Sequence, residues 1–94
     1  MNILVCDDDK EIVGAIEVYL KNEGYTIFKA YDGLEALNVL DKNEIHLVIM
    51  DVMMPNLDGM RTTMRIREEK NIPIIISISI IISHIPIIIP PLYT

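Results

Sequence analysis

The sequence predicts an α/β fold, a parallel sheet with helices on both faces, and three observations predict it. Short apolar runs alternate with amphipathic stretches of helical period between residues 1 and 73. Two of the runs, Ile3-Leu4-Val5-Cys6 and Leu47-Val48-Ile49-Met50, are apolar without interruption, as central parallel strands covered on both sides must be. Both runs end in carboxylates, Asp7 with Asp8 on one and Asp51 on the other. Sheets of this kind bind ligands outside the carboxyl ends of their strands.

The elements follow in order. Asn2 to Cys6 is the first strand. Asp8 or Asp9 can cap the helix after it, in which Ile12, Ile16, Tyr19 and Leu20 form one apolar stripe ending near Gly24. Tyr25 to Ala30, with β-branched and aromatic content, is the second strand. Asp32-Gly33-Leu34-Glu35 matches a capping box with an acid as N-cap, and Leu34, Leu37 and Leu40 continue a helical face to about Asn43. Ile45 to Met50 is the third strand. Pro55-Asn56-Leu57-Asp58-Gly59 is turn chemistry, and a helix from about Met60 to Glu69 follows, with Met60, Met64 and Ile66 inward. Asn71-Ile72-Pro73 ends it. Ile74 to Ile82, β-branched with Ser77 and Ser79 alternating, reads as the fourth strand.

Ninety-four residues suffice for one small core. The net charge of -6 argues against nucleic-acid binding by this segment, because phosphate neutralisation needs clustered Lys and Arg. Cys6, the single cysteine, reads as a small buried apolar residue, and a chain without an intrachain disulfide fits a reducing cytoplasm. No basic region precedes an apolar stretch at the N-terminus, so no signal peptide is expected. His46 lies at the end of its strand opposite the acids and reads as structural. All fourteen acidic and all eight basic residues fall between positions 7 and 70, whereas residues 74 to 94 hold eleven isoleucines with Ser, and with Pro86, Pro90 and Pro91. Those prolines would break a membrane-spanning helix, so no membrane role is expected.

If the two acid-tipped strands pair in parallel, Asp7, Asp8 and Asp51 meet at one sheet edge. Three carboxylates together repel one another unless a cation neutralises them. Oxygen ligands, few in number and open to solvent, suit Mg²⁺, which keeps several waters and accepts a phosphate as a further ligand. A carboxylate beside such a cation can act as a nucleophile toward a phosphoryl group. Helix capping alone would account for Asp8 and Asp9 but not for Asp51, whose strand is followed by Val52-Met53-Met54.

Ile3-Leu4-Val5-Cys6-Asp7-Asp8-Asp9, Leu47 through Pro55, and Asp58-Gly59 together resemble the receiver domain of bacterial two-component response regulators. Glu23-Gly24-Tyr25, Ala30 through Leu37 and Ile72-Pro73-Ile74-Ile75 are similar to the same family, above all to members with winged-helix DNA-binding output domains. The resemblance covers about residues 1–76. It implies a flavodoxin-like sheet of strand order 2-1-3-4. It implies Asp51 as phosphoacceptor, Mg²⁺ held by Asp8, Asp51 and the Met53 backbone carbonyl, and Asp7 acting through a metal-bound water. Pro55 and Gly59 are expected to shape the loop beside the site. The implied partner is a sensor histidine kinase, with DNA binding expected only from a C-terminal output domain that this sequence lacks.

The ending departs from the family pattern. The Ser or Thr that closes the fourth strand in receivers falls here on Ile78, between Ser77 and Ser79, where a one-residue bulge could bring a hydroxyl into place. No Lys or Arg follows Lys70 to match the family's Lys-Pro after the fifth strand, which has no counterpart in 77–94. Lys10 is expected to decorate the first helix, and Tyr93 to be an apolar residue near the terminus. Residues 1–76 therefore read as the receiver core and 77–94 as an atypical Ile/Ser/Pro-rich ending, truncated, frame-shifted or without secure register. Isoleucine strand left uncovered would favour homodimerisation through that edge. Two functions are open: a phosphorylatable receiver that is no turnover enzyme, or a damaged or pseudo-receiver serving only as an interaction module.

Overall fold

Our computed structural model describes residues 1–52 and 58–77. Seven elements alternate along them: β1 (Asn2–Cys6), α1 (Lys10–Asn22), β2 (Thr26–Ala30), α2 (Gly33–Lys42), β3 (Leu47–Asp51), α3 (Gly59–Glu69) and β4 (Ile74–Ser77). The strands form one sheet in the order β2-β1-β3-β4 with every pair parallel, as expected. The continuation of the fourth strand to Ile82 and the question of a fifth strand lie outside the described residues.

The uninterrupted apolar runs are explained by the two layers. Leu4, Cys6, Val48 and Met50 point to one face, against Ala36 and Leu40 of α2 and Ile66 of α3. Ile3, Val5, Leu47 and Ile49 point to the other, against Val13, Ile16 and Leu20 of α1. Each large aliphatic side chain taken fully out of water contributes about 1.5–3 kcal/mol.

Carboxylate caps start all three helices. Asp9 accepts from the Glu11 and Ile12 N–H groups at 2.9 and 3.3 Å, which settles the choice between Asp8 and Asp9. Asp32 accepts from Glu35 N–H at 2.8 Å, while Glu35 Oε1 reaches back to Tyr31 N–H at 3.0 Å, one residue earlier than a standard capping box. Asp58 accepts from Arg61 N–H at 2.8 Å. Gly24, with φ of 93°, terminates α1 in a conformation that glycine adopts without strain.

The helix faces agree with the expected stripes in part. Ile16, Leu20, Leu40 and Ile66 are buried as expected, whereas Tyr19 is 37% exposed, Leu34 58%, Met60 54% and Met64 63%, and the core also takes Val13 of α1, Gly33 and Ala36 of α2, and Gly59 and Thr62 of α3. Small residues let α2 and α3 lie close to the sheet, and the larger side chains one position away turn outward. Thr62 is tolerated in the core because its hydroxyl donates to Asp58 O at 2.8 Å. The third strand starts at Leu47, not Ile45, because the preceding residues bond to the N-terminus: Asn2 N–H donates to His46 Nδ1 at 2.9 Å and Asn2 Nδ2 to Glu44 O at 2.7 Å. His46 is thus structural, as expected.

At the start of α3, a Cβ on Gly59 would lie 2.6 Å from Val52 Cα and collide with Asp51 O. The nearest atoms are all backbone of Asp51 and Val52, so nothing flexible can yield. Gly59→Ala is therefore expected to lose about 1–3 kcal/mol of stability, read as a lowered urea midpoint with an unchanged slope.

Candidate functional site

Parallel pairing of β1 with β3, with Cys6 opposite Met50, brings the next residues of both chains, Asp7 and Asp51, side by side. Asp8 follows directly. One carboxylate oxygen from each of Asp7, Asp8 and Asp51 lies within 4.8 Å of the others. Asp7 and Asp51 are buried, at 3% and 1% exposure, and Asp8 faces solvent.

Burial pushes the Asp7 carboxyl up to about 6; the Asp9 N–H opposes this, and the negative charges of Asp51 and Asp8 add to it. That N–H donates to Asp7 Oδ1 at 2.9 Å, and Asp7's own N–H donates to Ala30 O at 3.1 Å. Asp9 thus has two tasks, its amide holding Asp7 and its side chain capping α1. The bond is an Asx turn, in which an Asp side chain accepts from the N–H two residues on whatever side chain stands there.

Three hard oxygen donors, two buried and one open to water, fit a hard divalent cation with an incomplete protein shell. The Met53 carbonyl assigned to the same set lies outside the described residues, as do Pro55, Ile78, Ser79 and Tyr93. The backbone of Ser77 is in register with Asp51 on β4. Lys10 Nζ sits 5.3 Å from the Tyr31 ring centroid, on the β2 side of β1 and away from β3, so it decorates the first helix. Cys6 lies below the acids, its thiol donating to Asp32 O at 3.3 Å. Burial first, then the charges of Asp32, Asp7 and Asp51, push that thiol up to about 12 and keep it unreactive.

The sequence matches the response regulator receiver domain over residues 3–82, and the chain belongs to that family. It is 48% identical over 73 residues to "Regulatory protein VanR" of Enterococcus faecium, covering 78% of this chain and 32% of that protein. It is 40% identical over 74 residues to "Response regulator GtcR" of Aneurinibacillus migulanus, covering 79% and 31%. The chain thus spans about a third of the length of these relatives. Among solved structures, the Francisella response regulator 1452 receiver domain superposes with a TM-score of 0.76 at 37% identity, over 80% of this chain and 63% of that one. Thermotoga maritima TrrA, a response regulator solved in complex with Mg²⁺–BeF, gives 0.71 at 38%, over 73% and 60%. Among the described residues, no helix is long and apolar enough to cross a membrane.

The raised Asp7 carboxyl sets a pH dependence. In the folded chain Asp7 holds its proton up to about pH 6, against an ordinary value of 3.8, so its share of stability is fully present below 3.8 and is lost as pH rises through 6. Without divalent cation, Asp7→Asn is expected to be more stable than the natural chain at pH 7 by at most about 3 kcal/mol, with the difference vanishing near pH 4. Urea titrations at the two pH values measure it.

Proposed function

We propose that this domain is the phosphoacceptor of a two-component response regulator, with Asp51 receiving a phosphoryl group from the phosphohistidine of a sensor histidine kinase. The observation that carries this reading is the convergence of Asp7, Asp8 and Asp51 at the ends of β1 and β3, in a chain that belongs to the receiver family. An Asp51 carboxylate oxygen attacks phosphorus in line. The new P–O bond forms as the P–N bond to the imidazole breaks and the bonding pair returns to the ring nitrogen. Mg²⁺, when held by Asp8, Asp51 and the Met53 carbonyl, with Asp7 reaching it through water, supplies positive charge against the carboxylate and phosphoryl oxygens. The relative solved with Mg²⁺–BeF supports that assignment.

Asp51 is shielded from bulk water at 1% exposure, and the Gly59 backbone packs against its carbonyl. The acyl phosphate adds about two negative charges at the strand end, which biases a switch elsewhere in the protein. The receiver is self-modifying and not a turnover enzyme. It acts in the cytoplasm, with transcription regulated by a DNA-binding output domain of the longer protein, a reading that the roughly threefold longer relatives favour.

A second reading, a pseudo-receiver that acts only as an interaction module, is favoured by Ile78 at the offset where the family carries Ser or Thr. The hydrogen bond that Ile78 cannot donate is worth about 1.5–3 kcal/mol when made to a charged group. Intact mass after treatment with a small phosphodonor and Mg²⁺ separates the two. One added phosphoryl group, absent in Asp51→Asn, supports the phosphoacceptor. An unmodified chain that still binds Mg²⁺ establishes the pseudo-receiver. In either case Asp8→Ala is expected to weaken Mg²⁺ binding by about tenfold or more, and unchanged affinity would remove Asp8 from the site.

A further inference from the structure

The outward face of α3 is self-complementary. With Gly59, Thr62 and Ile66 turned to the core, Met60 and Met64 point away from the sheet, one turn apart, at 54% and 63% exposure. Thr63, Met64, Arg67 and Glu68 line a shallow depression on the same surface. The depression lies between the ridge of Thr63 and Arg67 and the ridge of Met64 and Glu68, a groove of the kind into which a ridge of a second helix packs. Thr63 Oγ1, buried and without a hydrogen-bond partner among the described residues, borders that depression.

Charge decides the occupant. Arg61, Arg65, Arg67 and Lys70 are half of the chain's eight basic residues, although the whole chain carries -6. Along the outward flank of α3 a cation, Arg61, stands near the N-terminal end and an anion, Glu68, two turns later. Two copies of α3 laid antiparallel about a two-fold axis put Met64 of each into the other's depression. That register places Arg61 of each copy opposite Glu68 of the second copy, so the ion pair forms twice. Met and Arg are also the residue types enriched in protein interfaces. Among the described residues, Arg61 pairs within the chain with Asp58 alone, at 3.8 Å and largely in solvent.

We infer that this chain forms a two-fold homodimer through α3, by a contact independent of phosphoryl transfer. One helix face is smaller than the roughly 800 Å² per partner of a standard interface, so the dimer is weak and concentration-dependent. Uncovered isoleucine strand would also drive association, but insensitive to charge on α3.

The test is sedimentation equilibrium of the full 94-residue chain over rising concentration. Arg61→Glu and Glu68→Arg are each expected to raise the dissociation constant by at least about tenfold, because each places like charges opposite one another twice. Both follow the helix dipole, an acid in the first turn and a base in the last, so α3 is retained, and circular dichroism checks this. Mixing the two variants restores complementary pairs on both sides, and the mixture is expected to dimerise as the natural chain does. Self-association unchanged in both single variants, or a mixture no tighter than either alone, overturns the inference.

Discussion

The parallel register of β1 against β3 is the constraint on which the rest of this domain depends. It fixes two strand ends at the same height, and each end is a carboxylate. Neither Asp7 nor Asp51 can avoid the other without breaking a ladder whose residues are almost wholly buried. Like charges in a desolvated setting raise the folded domain's energy, and the raised Asp7 carboxyl is the visible sign. The ladder withstands it because, among the described residues, eight of the sixteen buried apolar side chains belong to β1 and β3. Two or three such side chains, at about 1.5–3 kcal/mol each, outweigh the penalty of one reluctant carboxylate. The acidic cluster therefore stands at the most deeply buried part of the sheet.

Helices complete the site through their first turns. Asp9 starts α1 and holds Asp7 by its amide, and Gly59 starts α3 against the backbone of Asp51. A helix that begins beside a strand end needs a cap and close clearance at the same point. Asp9 and Asp58 supply the caps, while Gly59 supplies the clearance. Close packing of α3 has a further consequence. The helix rests on Gly59, Thr62 and Ile66, so its methionines have no place in the core and form an apolar strip among arginines on the surface. The surface that α3 offers a partner and the seat it takes on the sheet are two results of one rotation about the helix axis.

The sequence by itself determined the alternation of elements, the parallel sheet with covered faces and the trio of acids. Continuous apolar runs and terminal carboxylates are local patterns that require no knowledge of neighbours. Asn2 to Cys6 could be read to the residue for that reason, as could the Asp32 cap. The inward side of α1 was legible in part through Ile16 and Leu20, but the sides that α2 and α3 turn to the core at their first turns were not. Leu34, Met60 and Met64 are more hydrophobic than Gly33, Gly59 and Thr62, yet the smaller residues are inside. The distance between helix and sheet decides that, and it is a property of the packed layers alone. At Asp9 the folded turn brings the amide, not the carboxylate, to the site. Tertiary structure also decided that Lys10 rests on Tyr31, because strand order places β2 and β3 on opposite sides of β1 and only one side is within the lysine's reach.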